Sequence, residues 1–324
     1  MCLLDLRCDP THSQPTDQPT ARRPMSGNDP LLYLERIKDY YQALGFGEPY
    51  RWAQFDDVPF QPLAKPLSEA TIGIVTTAAL FQPDKGDQGP GAVYNGSAKF
   101  FSVYSASTAT EPDLRISHIA YDRDHTTAED QGTYFPLRAL RRLEDAGEIG
   151  KIAPRFHGLP TNRSQKTTLE VDCAELVKHS LEDGIDAAIL VPNCPVCHQS
   201  VSLAARALEA SGIATVISAC ARDIVEHVGV PRMLFNNFPL GNSAGLPNDP
   251  ASQTEIARLA LDLLKTATAP RTTVQSPFTW SGDPNWQDSY SNAGNLSAAE
   301  IAKRRADFDK GKRDAKTVKG TGRR

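Results

Sequence analysis

The sequence predicts an α/β protein in which a parallel sheet carries helices on both faces. Two observations lead to this prediction. Short apolar runs, such as Ile185–Val191 and Ile213–Ser218, have the composition of strands that are buried on both faces of a sheet. Amphipathic segments that end at glycines lie between these runs, and strands that alternate with helices form parallel sheets through right-handed crossovers.

The composition divides the chain into five segments. Residues 1–30 are predicted to be a disordered lead, because five prolines lie among Thr, Gln, Ser and Asp between residues 9 and 30. Met25 is an alternative to Met1 as the first residue of the translated protein. The other segments are a peripheral helix and irregular stretch at 31–67, a first α/β half at 68–160, a second α/β half with a Cys-x-x-Cys pair at 161–275, and a loop with a basic tail at 276–324. We expect the two halves to associate as one body with disordered termini.

The elements of the first half are predicted from periodicity and end signals. A helix at Pro30–Leu44 has Asp29 as its cap and Gly45 as its end. Thr71–Thr77 is uncharged and β-branched, as in a strand buried on both faces. It is followed by a Gly-rich loop at 82–97, a strand at Leu114–Ile119 and a helix at Leu137–Ala146.

The second half shows the clearest alternation of helices and strands. Helices are predicted at Thr168–Glu182, Val196–Ala210, Asp223–Val228 and Gln253–Thr266. The strands between them are Ile185–Val191, Ile213–Ser218 and Arg232–Phe235. Residues 271–300 are predicted to be a loop-like wrap, and the tail is predicted to be helical only near Ala298–Asp309.

The charge distribution argues against nucleic-acid binding. Residues 303–324 hold ten Lys and Arg against three Asp, a local net charge of +7. Because the whole chain has a net charge of −4, the rest of the chain carries −11. An acidic body repels a phosphate backbone, and we interpret the tail as a solvated basic end. The longest apolar runs are nearer ten residues than the roughly 18 of a membrane span, so no membrane association is expected.

The six cysteines are too few and too unevenly spaced for a disulfide scaffold. Cys2 and Cys8 lie in the lead, Cys173 and Cys220 stand alone, and only Cys194 and Cys197 form a close pair. This usage is typical of a reducing compartment. The first six residues lack the basic start of a secretory signal, so we predict a cytoplasmic protein.

The stretch from Val191 to Ser200 is the candidate reactive site, because it joins a buried strand to the helix that follows. Ligands bind at such strand ends in open α/β sheets, and a helix start favours an anion such as a thiolate. We expect a lowered pKa for Cys194, which lies just before the helix and serves as the nucleophile. Cys197 lies one turn further on and can resolve a sulfur adduct, and Pro195 fits the first helical turn.

Two other interpretations of the pair stay open. The cysteines and His198 can form part of a structural zinc site, although no second Cys-x-x-Cys or His-x-x-x-His follows at usable spacing, and we predict no metal. Both cysteines can also be small buried packing residues.

Three stretches of the chain resemble a known family. They are FPLRALRRLEDAGEIG, DAAILVPNCPVCHQSVSLAARALEASGIATV and PRMLFNNFPLGNSAGLP, within roughly residues 70–275, and the most specific piece is the CPVCHQ turn. Together they are similar to the selenoprotein B family of glycine/sarcosine/betaine and D-proline reductases.

The resemblance implies a reaction and two site residues. In these reductases a selenocysteine, separated by two residues from the cysteine that follows it, attacks the substrate carbon next to nitrogen, while a separate pyruvoyl-bearing component activates the amine. The selenocysteine position corresponds to Cys194 and its partner to Cys197. This chain has sulfur in place of selenium, so it resembles the cysteine-containing relatives, and no part of it is similar to a pyruvoyl precursor.

Further side chains are candidates for supporting roles. His118 and Asp122, four residues apart, can supply a proton or a metal ligand, and His198 can stabilise a thiolate beside Cys197. Each histidine can equally be a hydrogen-bonded core residue. The expected substrate-binding residues lie at strand ends and in the loop FPLGNSAGLP: Asn193, Cys220, Gly241, Asn242 and Gly245. Cys220 can also be a packing residue, and the loop can simply turn the chain.

The predicted function is a thiol-dependent reduction or reductive cleavage of a small polar, amino-acid-like substrate. Cys194 attacks, Cys197 resolves the adduct as a disulfide, and an external dithiol or a thioredoxin-like reductant restores the pair. No cofactor is expected. A partner subunit or a homo-oligomer is expected. The alternatives are a racemase-like or transferase-like cysteine enzyme without net redox change, and a non-catalytic subunit that binds zinc or a partner.

Overall fold

The computed structural model describes residues 29–90 and 92–321, so the predicted lead, with Cys2, Cys8 and Met25, lies almost wholly outside the described residues. The strands are β1 (Thr71–Thr76), β2 (Ala79–Leu80), β3 (Tyr104–Ser107), β4 (Leu114–Arg115), β5 (Lys151–Ile152), β6 (Arg155–Gly158), β7 (Ala187–Val191), β8 (Ala214–Ala219), β9 (Arg232–Phe235) and β10 (Thr272–Gln275).

The helices lie before, between and after these strands. They are α1 (Tyr33–Ala43), α2 (Leu137–Asp145), α3 (Gln165–Thr167), α4 (Cys173–Glu182), α5 (Pro195–Ala210), α6 (Arg222–Val228), α7 (Pro250–Thr266), α8 (Trp286–Ser289) and α9 (Ala298–Thr321). A π-helical turn at Thr168–Asp172 joins α3 to α4. None of the described helices combines the length and apolar character that crossing a membrane needs.

A mostly parallel sheet confirms the predicted α/β class. Its strand order is β10-β9-β8-β7-β1-β6-β3, with β5 also paired to β1, while β2 and β4 pair separately. The edge strand β3 runs antiparallel to β6. Strand β1 pairs with β7 from Ile72 opposite Ala187 to Thr76 opposite Val191, so the boundary predicted at residue 160 lies within one continuous sheet.

Both faces of the sheet are covered, and alternate residues of one strand enter different cores. In β7, Ala187 and Ile189 pack with helices α1, α2 and α7 on one face. Ala188 and Leu190 pack with α4 and α5 on the other. A strand buried on both faces needs apolar residues at every position, which explains why β7 has no polar alternation.

Several short elements differ from the sequence-based predictions. The strand predicted at Leu114–Ile119 shrinks to the two residues of β4, which pair only with β2. Strands β3 and β6 were not predicted, and β10 lies inside the segment expected to be a loop. Strand β10 is a short polar edge strand that is held by pairing with β9, so its own sequence carries little strand signal.

The C-terminal tail also differs from its prediction as a solvated end. Helix α9 continues past Asp309 to Thr321. The Phe308 ring packs edge-on against Phe46 and Tyr41, with ring centroids 4.7 and 5.5 Å apart. The Arg305 guanidinium donates to the Leu44 carbonyl at 2.8 Å. These contacts fix α9 against the segment that follows α1, although α9 has no continuous apolar stripe.

Candidate active site at the end of strand β7

The turn after β7 is tied to the end of the neighbouring strand β1. Both the backbone N–H and the side-chain amide of Asn193 donate to the hydroxyl of Thr77, each at 3.1 Å. Because β1 and β7 are parallel, their carboxyl ends lie at one edge of the sheet. The residues that follow Asn193 are therefore held at the edge where ligands bind in such sheets.

Cys194 is the N-cap of helix α5. Its backbone is extended, with φ −141° and ψ 168°, Pro195 occupies the first helical position, and the N–H of Cys197 donates to the Cys194 sulfur at 3.2 Å. The Cys194 and Cys197 sulfurs lie against each other in a near-disulfide arrangement, with Cα atoms 4.9 Å apart. When the pair is reduced, the same N–H and the positive end of a 16-residue helix stabilise negative charge on Cys194.

A histidine and a threonine from distant parts of the chain complete the surroundings of the pair. His118 Nε2 lies 3.0 Å from the Thr161 hydroxyl oxygen, which lies 3.3 Å from the Cys197 sulfur. A ring nitrogen of His118 and the sulfurs of Cys194 and Cys197 lie within 4.8 Å of one another. The structure therefore brings His118, a candidate from the sequence, together with Cys194 and Cys197.

His118 is neutral at neutral pH. Burial, together with the nearby cations of Lys99 and Arg123, lowers the pKa of His118 to about 3. Its Nδ1 atom is buried and has no hydrogen-bond partner among the described residues. The ring is therefore uncharged, and one of its two nitrogens lies close to the two sulfurs.

A cavity of about 170 Å³ opens in front of Cys194. Its floor includes Cys194, Pro195, His118 and Thr161. Its walls carry five aromatic side chains from four separate segments: Tyr41, Tyr50, Trp52, Tyr94 and Phe308. The cavity adjoins a groove of about 430 Å³ that shares Tyr41, Tyr50, Trp52 and Phe308, and this groove gives a route from the surface towards the pair.

The charged side chains around the cavity are cationic. Lys99, Arg163 and Lys312 line it, and none of the described residues lining it is acidic. The cations of Arg163 and Lys312 lie over the aromatic rings of Tyr50 and Phe308, at 5.1 and 5.8 Å from the ring centroids. The arrangement favours an anionic ligand with a flat or apolar body.

Comparison with known proteins identifies the family. A family model described as glycine/sarcosine/betaine reductase selenoprotein B matches residues 34–193. The chain is 31% identical over 204 residues to the D-proline reductase subunit gamma of Acetoanaerobium sticklandii, a match that covers 63% of this chain and 81% of the relative. The chain belongs to the glycine/sarcosine/betaine reductase selenoprotein B family. The resemblance found in the sequence is thereby confirmed.

Two further relatives of this selenoprotein B family member are longer than the matched region. The chain is 28% identical over 220 residues to the glycine reductase complex component B subunit gamma of Carboxydothermus hydrogenoformans, covering 65% of this chain and 49% of the relative. The chain is also 26% identical over 234 residues to the sarcosine reductase complex component B subunit beta of Peptoclostridium acidaminophilum. That match covers 68% of this chain and 51% of the relative. The chain spans about half the length of these two subunits. No solved structure matches it.

His198 of this selenoprotein B family member is directed away from the two sulfurs. Its Nδ1 donates to the Cys194 carbonyl at 2.8 Å, and its Nε2 accepts from the N–H groups of Cys220 and Ala221 at 3.1 and 3.0 Å. Burial lowers its pKa to about 4, so the ring is neutral. With both nitrogens occupied by backbone, His198 joins the start of α5 to the end of β8.

Cys220 lies at the predicted edge of the sheet but is sealed from solvent. It follows β8, and Ser243 donates to its sulfur at 3.5 Å. Burial raises the pKa of its thiol to about 12, which keeps it protonated. Cys220 is not among the described residues that line the cavity, so the structure does not bring it to the reactive pair.

The predicted substrate-binding loop packs against the protein itself. Gly241 has φ +109°, and a Cβ there would lie 2.9 Å from a methyl group of Thr126. The Asn242 amide donates to the Thr126 hydroxyl at 2.7 Å. A Cβ at Gly245, where φ is +147°, would lie 2.6 Å from Gln253. Close packing accounts for both glycines, and the structure does not place this loop at the cavity.

Other site residues were missed or differ in their partners. Asp122, also a candidate from the sequence, binds His125, with Nδ1 2.9 Å from a carboxylate oxygen, and is not among the described residues that line the cavity. Thr161 was missed because it follows the unpredicted strand β6, whose carboxyl end lies at the same sheet edge. If β6 had been predicted, Thr161 would have been recognised as a residue at the carboxyl end of a parallel strand. Lys99, Arg163 and Lys312 lie in loops and in the tail, where sequence alone gives no signal for a shared cavity.

Proposed function

We propose that the chain catalyses a thiol-dependent reductive cleavage in which Cys194 is the nucleophile and Cys197 is the resolving thiol. One observation carries the proposal: Cys194 lines the cavity, whereas its disulfide partner Cys197 is fully buried behind it. A substrate in the cavity therefore meets Cys194 first. Cys197 is positioned to attack the Cys194 sulfur from the protein side.

The proposed reaction balances with two thiols and one external reductant. The Cys194 thiolate displaces a leaving group X from the substrate R–X and forms a Cys194–R thioether. The Cys197 thiolate then attacks the Cys194 sulfur, the S–C bond breaks, and R leaves with its electron pair and takes up a proton as R–H. The resulting disulfide accepts two electrons from an external dithiol or a thioredoxin-like protein. No further cofactor is part of this scheme.

The local hydrogen bonds support this division of roles. The Cys194 sulfur accepts from a helix N-terminal N–H, which stabilises its thiolate. The Cys197 sulfur contacts the Thr161 hydroxyl, which can donate to it because neutral His118 can donate to the Thr161 oxygen in turn. Each sulfur thus has its own donor for the charge that develops during its step.

The lining of the cavity supports a small organic anion as the substrate. Lys99, Arg163 and Lys312 supply positive charge, and the aromatic walls supply apolar surface. A carboxylate held by these cations would leave the rest of the molecule towards Cys194. This fits the amino-acid-like substrate expected from the sequence.

We further propose that the chain works with a partner subunit. Its relatives are named as subunits of D-proline, glycine and sarcosine reductases, two of them as subunits of component B of a reductase complex. Cysteine usage supports a cytoplasmic location for the assembly.

Thiol counting under two redox conditions tests the proposal. Protein treated with a mild oxidant is expected to show two fewer free thiols per chain than protein treated with dithiothreitol. Cys194→Ser and Cys197→Ser are each expected to abolish that difference, while Cys173→Ser leaves it unchanged. Identical counts in oxidised and reduced wild-type protein would refute the redox scheme and favour a cysteine enzyme without net redox change.

A further inference from the structure

We propose that the reduced site binds one thiophilic divalent cation, such as Zn²⁺, through the thiolates of Cys194 and Cys197 and a ring nitrogen of His118. The proposal rests on the proposed function only in requiring that the disulfide can be reduced. Because a disulfide and a metal each use both sulfurs, the two states exclude one another. The cation would therefore be a redox-dependent occupant of the reactive site.

The three donor atoms lie close enough to share one ion. All three lie within 4.8 Å of one another. Zinc binds sulfur at about 2.3 Å and imidazole nitrogen at about 2.0 Å, so small adjustments of side-chain rotamers bring such a set around one centre. Two cysteines separated by two residues at a helix start have the spacing that zinc sites commonly use.

The hydrogen bonding of His118 is an independent observation that points to a ligand. The side chain is 7% exposed, and Nδ1 is buried without a partner among the described residues. A buried polar atom of this kind costs free energy unless something binds it. The other nitrogen is held by Thr161 at 3.0 Å, and metal-binding histidines typically use their second nitrogen for such an orienting hydrogen bond.

The charges balance when a cation is bound. Two thiolates, a neutral imidazole and one divalent cation have a net charge of zero, and binding releases the two thiol protons. The N–H of Cys197 can continue to donate to the Cys194 sulfur, as backbone N–H groups do at thiolates. The site thus requires no additional acidic residue.

One coordination position would face the cavity. Three protein ligands and an open fourth position are typical of catalytic zinc sites, in contrast to closed structural sites with four protein ligands. Cys194 and His118 both line the cavity, so the fourth ligand would be water or an anion from that side. A bound cation would block attack by Cys194, and a two-electron oxidant such as hydrogen peroxide would release the cation by forming the disulfide.

Cobalt titration of the full-length protein tests the site directly. Co²⁺ is added without oxygen to protein that has been reduced and freed of reductant. We expect one Co²⁺ per chain, a thiolate-to-cobalt charge-transfer band in the near ultraviolet and the intense visible bands of tetrahedral cobalt. His118→Ala should weaken binding by at least about tenfold, in line with the loss of one of three ligands. His125→Ala, which alters a histidine outside the site, should bind as wild type does.

A second measurement, on wild-type protein, tests the site even if His118→Ala does not fold. Stoichiometric Zn²⁺ should protect Cys194 of reduced wild-type protein from iodoacetamide, and a chelator should restore the reaction. If reduced wild type shows no charge-transfer band, or His118→Ala binds Co²⁺ as tightly as wild type does, the metal site is refuted. Reversible loss of two thiols without cobalt binding would refute the metal proposal alone, whereas cobalt binding without a redox-dependent thiol count would refute the redox function alone.

Discussion

The ends of strands β7 and β8 resemble each other in sequence position but not in chemistry. The two strands are parallel neighbours, and each is followed within three residues by a cysteine at the same edge of the sheet. At the end of β7, the N–H of Cys197 donates to the sulfur of Cys194, which faces a cavity. At the end of β8, the N–H groups of Cys220 and Ala221 donate to His198 instead.

The two cysteines differ in access to the cavity, since Cys194 lines it and Cys220 does not. Backbone donors do not separate them, because the Cys220 sulfur also accepts backbone hydrogen bonds, from Phe238 and Asn242. His198 accepts from the N–H groups of Cys220 and Ala221 at the end of β8 and donates to the Cys194 carbonyl after β7. The Cys220 thiol is left buried and protonated, with its pKa raised by burial. The role of His198 is therefore structural, because its ring joins the start of α5 to the end of β8.

Removing the His198 ring is expected to have the largest effect. His198→Ala leaves two buried N–H groups without an acceptor, and each such group costs about 1–3 kcal/mol. We expect the free energy of unfolding to fall by about 3 kcal/mol or more, measured by chemical denaturation. His118→Ala removes one hydrogen bond, to Thr161, and should cost only about 1 kcal/mol. Equal losses for the two variants would contradict the distinction between them.

The sequence was sufficient to predict most of the framework around the candidate reactive turn. Strands β7, β8 and β9 and helices α5 and α7 were predicted to within about three residues, because their burial imposes apolar patterns. Cys194 and Cys197 were found because a strand, a Cys-x-x-Cys pair and a helix follow one another directly. These are local signals that need no tertiary information.

The rest of the site depends on contacts between distant segments. Thr161 follows β6, a short strand whose position is set by pairing with β1 and β3. The role of His198 could not be decided from sequence, because its ring contacts backbone N–H groups 22 and 23 residues away. Lys312 reaches the cavity through packing of α9 around Phe308, and one aromatic residue in a basic tail does not predict such packing.

A smaller effect is expected from the titration of Cys220. Burial raises the pKa of its thiol from 9.0 to about 12, so the folded protein holds this proton where the unfolded chain loses it. The resulting stability is present below pH 9 and is lost as the pH rises towards 12. At pH 10 we expect Cys220 to account for about 1 kcal/mol of lost stability.

Cys220→Ser removes this titration and provides the comparison. The difference in unfolding free energy between wild type and Cys220→Ser should shrink by about 1 kcal/mol between pH 7 and pH 10. A difference that stays constant over this range would show that Cys220 is not sealed as described.

The smallest effect is expected from the charge of Lys312 at the cavity. Cys194 should react with anionic iodoacetate faster, relative to neutral iodoacetamide, than a thiol without neighbouring cations. Lys312→Gln should lower this rate ratio by about twofold, because an exposed charge contributes only a few tenths of a kcal/mol. Lys178→Gln, on helix α4, is the matched control and should leave the ratio unchanged. An unchanged rate ratio in Lys312→Gln would show that Lys312 of α9 does not contribute to anion binding at the cavity.

The order in which the thiols react tests most directly the claim that Cys194 is the outward-facing nucleophile. Fully reduced protein is treated with limiting iodoacetamide at neutral pH, and the labelled peptides are quantified by mass spectrometry at successive times. We expect Cys194 to be modified first, by at least about 100-fold over Cys220, and Cys197 and Cys220 to react fully only after unfolding. Modification of Cys197 or Cys220 before Cys194 would contradict the account.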